Sequence, residues 1–156
     1  MIFRTTLLLL GLGAFLGCAR EPKHCWVCQR EIHPQVEASI TLASGKTVSA
    51  CCPRCALHYQ EEPGNRVRRI TVTDYAGAGT LSFEQAYLVE GSDETPCFHH
   101  PAVMDESKAP MKVCFDRCMP SLIAFREEAA ARSFRDEHGG TLYPPGAFPG
   151  LPPAAP

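Results

Sequence analysis

The spacing of apolar and polar residues predicts a first β-β-α-β unit over residues 18–74. Apolar and polar side chains alternate from Val36 to Leu42, which is typical of a half-buried strand, and a short turn leads to a second strand over Thr47–Ala50. A helix is predicted from Pro53 to Glu62, because proline is well tolerated in a first helical turn. A strand around Ile70 closes the unit.

The second half of the chain repeats this order over residues 75–143. Strands are predicted at Gln85–Val89 and Ser121–Phe125, and the Ala-rich stretch Glu127–His138 is the clearest helix, ended by a Gly-Gly pair. A last short strand begins at Thr141. The predicted fold class is therefore α+β, built from two small β-β-α-β units.

Two segments stand outside this pattern. Residues 91–120 interrupt the second unit without strong periodicity, and they contain three Cys, two adjacent His and three Met. Long irregular segments inside compact domains are usually functional or disordered, and these side chains favour function. Residues 144–156 contain six Pro and no charged side chain, which predicts an unstructured tail.

The N-terminus has the features of a bacterial secretion signal. An apolar run from Leu7 to Leu16 follows a short basic end and is too short to span a bilayer comfortably. Cys18 then follows Leu16-Gly17 in a pattern that resembles a lipobox, although an ordinary signal peptide with a chance cysteine is the alternative. We expect residues 1–17 to be removed and Cys18 to be acylated. The product would be anchored on the periplasmic face of a bacterial membrane, with the outer membrane favoured because alanine follows Cys18.

Composition narrows the function. The 15 Lys and Arg against 17 Asp and Glu argue against a nucleic-acid partner, and no phosphate-binding loop or nucleophile elbow is present. The chain has 9 Cys among 156 residues, several times ordinary usage. Cysteine at this density indicates disulfides, metal binding or thiol chemistry. We predict that the protein is not an enzyme.

The first cysteine cluster pairs Cys25-x-x-Cys28 with Cys52-x-x-Cys55. A knuckle, a hairpin and a helix N-terminus would bring these four thiols into a treble-clef-like site, which suits Zn(II) and also Cu(I). Two alternatives remain open, namely a pair of disulfides in an oxidising compartment, and thiol-disulfide exchange by Cys52 and Cys55. Cys51 is interpreted as a spare core thiol, or as a replacement for Cys52.

The second cluster lies in the insertion. Thiolate, imidazole and thioether groups together favour Cu(I), whereas the alternative is that the methionines fill gaps and Cys114 forms a disulfide with Cys97 or Cys118. The candidate ligands are Cys97, His99, His100, Cys114, Cys118 and Met119.

Several motifs together resemble the NosL-type lipoproteins. These are Cys18 in its lipobox, Cys25-Trp26-Val27-Cys28, Asp74-Tyr75 with Ala86–Ser92, and Met119–Phe125 followed by the helix that ends at His138-Gly139-Gly140. Gln29-Arg30 stands where that family commonly has Gly-Met, and the family usually lacks the thiols at Cys51, Cys52 and Cys55.

The resemblance implies a pair of β-β-α-β units and a lipid-anchored periplasmic copper accessory protein. Cys25, Cys28 and Met119 match positions of the family's motifs. The implied partners are the membrane, through the lipid anchor, and a client metalloenzyme or metal transporter. A disulfide-stapled structural lipoprotein and a periplasmic oxidoreductase are the alternative functions.

Overall fold

The computed structural model describes residues 23–97 and 116–150. The predicted signal segment 1–17, the lipidation site Cys18 and most of the insertion therefore lie outside the described residues. Within the described ranges, no helix has both the length and the apolar character needed to cross a membrane.

The first sheet has four antiparallel strands in the order β2-β1-β3-β4. The strands are β1 (Ala38–Leu42), β2 (Thr47–Ala50), β3 (Val67–Thr73) and β4 (Thr80–Ser82), and α1 (Pro53–Glu61) joins β2 to β3. Alternate residues of β1 are buried, as the alternation in the sequence predicts, because one face of the sheet packs in the core.

The second sheet is smaller, with three antiparallel strands in the order β6-β5-β7. Its strands are β5 (Tyr87–Glu90), β6 (Leu122–Phe125) and β7 (Thr141–Tyr143), and α2 (Glu128–His138) joins the last two. All four residues of β6 are buried. The turn after α2 needs glycine at Gly140, because its φ is +96° and an added Cβ would lie 2.6 Å from the carbonyl oxygen of Glu90.

The α+β class with two antiparallel sheets is confirmed. The sequence did not predict β4, which consists of only three residues. It lies within the predicted second unit, residues 75–143, yet its hydrogen bonds to β3 complete the first sheet. The division into two units at residue 74 remains a prediction.

The tail prediction is wrong for residues 144–150. Phe148 is 5% exposed, and its ring makes edge contacts with Phe83 and Tyr143. The guanidinium of Arg54 also lies 5.7 Å from the centre of the Phe148 ring. One large aromatic side chain thus attaches this Pro-rich segment to the fold, while residues 144–147 and 149–150 are exposed. Residues 151–156 lie outside the described residues.

The start of α1 is tied to the second sheet by one arginine. Arg54 forms an ion pair with Glu90 of β5, and its Nε donates a hydrogen bond to the carbonyl oxygen of Pro120 at 3.0 Å. Glu90 also accepts a hydrogen bond from the hydroxyl of Tyr143 at 3.1 Å. These contacts hold the helix N-terminus, with its cysteines, against the chain that precedes β6.

Candidate metal centre

The first two thiols come from a tight turn at Cys25–Cys28. The Val27 amide donates to the Cys25 sulfur at 3.4 Å, so the backbone already offers a hydrogen bond to a thiolate there. The Trp26 amide donates to the carbonyl oxygen of Ser49 at 3.0 Å, which attaches the turn to β2. Cys25 is fully buried, whereas Cys28 is half-buried at the edge of the site.

Three more thiols come from the junction between β2 and α1. Cys51 follows the last residue of β2, Cys52 is the residue before the helix, and Cys55 lies in its first turn. All three are buried. Pro53 occupies the start of the helix, where a missing amide hydrogen costs nothing. The unpaired amides of a helix N-terminus favour negative charge, and therefore favour thiolates at this position.

The last two described thiols come from the second half of the chain. Cys118 lies in a turn in which its amide donates to Asp116 at 2.8 Å. Arg30 forms an ion pair with Asp116 and donates to the Cys118 sulfur at 3.3 Å. The Cys97 sulfur lies 3.1 Å from the carbonyl oxygen of Cys51. A cation and a carboxylate therefore fix Cys118 beside the Cys25–Cys28 turn, where its sulfur lies 4.0 Å from that of Cys28.

Together these sulfurs form one continuous cluster around Cys51. The Cys51 sulfur lies 3.4 Å from that of Cys28, 3.6 Å from that of Cys55 and 3.6 Å from that of Cys118. Four sulfurs bound tetrahedrally at about 2.3 Å from a zinc ion are about 3.8 Å apart. A disulfide would need about 2.05 Å, and all seven described cysteines are free thiols. The spacing thus suits a thiophilic cation.

The geometry groups the thiols differently from the sequence analysis. The described thiols form two sets of four. Within each set, all four sulfur atoms lie within 4.8 Å of one another. The first set is Cys25, Cys28, Cys51 and Cys55, and the second is Cys51, Cys52, Cys97 and Cys118. Cys51, interpreted from sequence as a spare thiol, belongs to both sets, whereas Cys52 belongs to the second. Which thiols bind a metal remains a prediction.

The predicted second site is only partly described. Cys97 and Cys118 lie in one set with Cys51 and Cys52, so the described members of the two predicted clusters are not separated. Met119 follows Cys118 in the turn and is half-buried. His99, His100 and Cys114 lie outside the described residues.

The thiols of the cluster differ strongly in acidity. Hydrogen bonding with Cys51 lowers the pKa of Cys118 to about 3, and hydrogen bonds from Cys51 and Cys55 lower the pKa of Cys25. Burial raises the pKa of Cys28 to about 11. Closely packed thiols therefore share protons, because several buried thiolates would repel one another. A bound cation would remove that repulsion and allow more of the thiols to ionise.

Arg30 and Asp116 are not among the site residues predicted from the sequence. Arg30 lies two residues after Cys28, whereas Asp116 is 86 residues further along the chain. Hydrogen bonding to the Asp116 carboxylate raises the pKa of Arg30, so the guanidinium remains charged beside the cluster. No local motif connects two residues so distant in sequence, and only the fold brings them together.

The comparisons with known proteins identify a structural similarity. Neither a protein-family model nor a curated protein matches this sequence. The crystal structure of the copper chaperone NosL from Shewanella denitrificans matches this chain with a TM-score of 0.57. The match covers 78% of this chain and 85% of the NosL chain, with 16% sequence identity. The chain therefore has a NosL-like fold.

Proposed function

We propose that this protein is a lipid-anchored, extracytoplasmic metal-binding protein that carries or delivers Cu(I). The observation that carries the proposal is the cluster of seven free thiols, six of them buried, which four separate segments of the chain contribute. Burying so many polarisable but reactive groups serves no packing purpose that apolar side chains would not serve better. Thiolate is the preferred protein ligand of Cu(I), and Zn(II) also fits four sulfurs.

One edge of the cluster is more accessible to solvent than the rest, which suits ligand exchange with a partner protein. Cys28 is half-buried, and the neighbouring Trp26 is 56% exposed. An incoming thiolate could replace Cys28 first, while the buried sulfurs still hold the ion. The similarity to a protein described as a copper chaperone supports this proposal, although it shows the fold alone. The proposed partner is a client metalloenzyme or a metal transporter.

Several finer features belong to the same proposal. We propose acylation at Cys18, removal of residues 1–17 and a location on the periplasmic face of the membrane, on the sequence pattern given above. We also propose that the Cys25–Cys28 turn and the start of α1 act as the two halves of a treble-clef-like metal knuckle, with Cys51 as a ligand beside Cys55.

The burial of the thiols argues against redox catalysis at Cys52 and Cys55. A dithiol catalyst must present one sulfur to its substrate. Cys52 is 5% exposed and Cys55 is fully buried. The free state of the seven described cysteines likewise argues against a disulfide-stapled structural role. We expect the protein to show no activity in an insulin-reduction assay.

Anaerobic competition titrations test the proposal. The full chain in detergent is titrated with Cu(I) against bicinchoninate and with Zn(II) against a chromogenic chelator. We expect tighter binding of Cu(I), and a loss of at least tenfold in affinity for Cys51→Ala. Val48→Ala is the matched control, because it removes apolar volume from the buried face of β2 without removing a sulfur. If the protein binds neither Cu(I) nor Zn(II), the proposal is overturned.

The insertion requires a separate test. Met119→Ala, Cys114→Ser, His99→Ala and His100→Ala are combined in one variant. If the insertion contributes ligands, Cu(I) affinity falls while the unfolding transition remains unchanged. Unchanged affinity would remove Met119, Cys114 and the two histidines from the mechanism and leave the described thiol cluster as the whole site.

A further inference from the structure

One thiol, Cys51, occupies a special place in the cluster. Its sulfur is a member of both four-sulfur sets. It contacts the sulfurs of Cys28 and Cys55 in one set, and the sulfurs of Cys52 and Cys118 in the other, at distances from 3.4 to 3.9 Å. A sulfur in this position can bind two cations at once, because a thiolate has lone pairs for more than one metal.

We propose that the seven thiols hold two thiophilic cations, bridged by the thiolate of Cys51. This inference rests on the proposed metal-binding function and goes beyond it in the number of ions and the ligand they share. Two tetrahedra that share one corner need seven ligands. The two sets supply seven different sulfurs, three that belong only to one set, three that belong only to the other, and Cys51.

The two sets touch at more than their shared member. The sulfur of Cys118 lies 3.7 Å from that of Cys55 and 4.0 Å from that of Cys28, which are both in the other set. Two cations placed in the sets would therefore be close neighbours. Without a bridging anion between them they would repel, and the sulfur of Cys51 lies where that anion is needed.

The surroundings compensate part of the negative charge. Seven thiolates outnumber the positive charges of two Zn(II) or two Cu(I) ions, so the loaded cluster is anionic. The Arg30 guanidinium donates to the Cys118 sulfur at 3.3 Å, and the N-terminus of α1 lies at Cys52. Both positive groups lie beside the second set, which is the more buried one. Thiols that bind release their protons to solvent.

Mass and magnetic resonance measurements on the full chain test the bridge. Native mass spectrometry counts the ions bound per chain in separate titrations with Cu(I) and Zn(II). Comparison of the two titrations also shows which ion fills the site. Loading with ¹¹³Cd(II), a spectroscopic substitute for Zn(II), then reports ligation. We expect two ions per chain and two ¹¹³Cd resonances that are split by cadmium–cadmium coupling through the shared sulfur.

Two variants separate the bridge from an ordinary ligand. Cys51→Ala should abolish the splitting, because the coupling path is lost. Cys97→Ser is the matched control, since Cys97 belongs to one set only; it should shift one resonance and keep the splitting. One bound ion, two uncoupled resonances in the wild type, or splitting that persists in Cys51→Ala would overturn the bridge and leave metal binding intact. No bound ion would overturn the proposed function as well.

Discussion

Replacing Asp116 by Asn tests how Cys118 is held at the metal centre. The Asp116 side chain is 7% exposed, forms an ion pair with Arg30 and accepts the amide of Cys118. Asn has nearly the same shape and can still accept the amide, so the substitution mainly removes the charge. Arg30 then keeps a partly buried positive charge with a weaker partner.

The magnitude follows from burial. Removing one partner of a fully buried ion pair costs about 3–5 kcal/mol. The Arg30 side chain is 31% exposed, so water can solvate the guanidinium and reduce the loss. We expect about 2 kcal/mol, comparable to one charged hydrogen bond. Urea unfolding of the metal-free protein measures the free energy, and Cu(I) competition measures the accompanying loss of affinity.

Glu128→Gln is the matched control for this substitution. Glu128 also faces an arginine, Arg132, at 2.8 Å, but both side chains are about half exposed. Surface pairs of this type contribute about 0.3–0.5 kcal/mol within a helix. If Asp116→Asn and Glu128→Gln lower the free energy of unfolding by the same small amount, the ion pair of Arg30 and Asp116 does not fasten Cys118.

Four further results are expected. Gly140→Ala should destabilise the protein by more than 1 kcal/mol in urea unfolding, because alanine strains a positive φ and meets the Glu90 carbonyl; unchanged stability would contradict the turn geometry. Phe148→Ala should cost about 3 kcal/mol, whereas an unstructured tail would give no change in the unfolding midpoint. Arg54→Met should cost about 1–3 kcal/mol by leaving Glu90 without its cation, and a loss no greater than that of Glu128→Gln would contradict the link between α1 and β5. Lowering the pH should weaken Zn(II) binding about tenfold per pH unit for each proton released, and a pH-independent affinity in chelator competition would argue against thiol ligands.

Local pattern was sufficient for most of the fold. The alternation in β1 and the capped, Ala-rich α2 are signals that lie within a few residues, and both elements form close to where they are predicted. Strand β4 was missed because three residues are too few to show a period. The burial of Phe148 was not predicted, because the composition of the tail carries no information about the distant Phe83 ring that it contacts.

The sequence by itself determined that this protein is rich in thiols and that one pair of cysteines lies at the start of a helix. Only the tertiary structure decided which sulfurs meet. Cys51 and Cys118 are 67 residues apart, yet their sulfurs lie 3.6 Å apart. Spacing motifs describe ligands on one local segment. This cluster is assembled where the Cys25–Cys28 turn, the junction of β2 with α1, the chain at Cys97 and the turn before β6 converge. The physical reason is that packing of the two halves, fastened by Arg30–Asp116 and Arg54–Glu90, sets those distances.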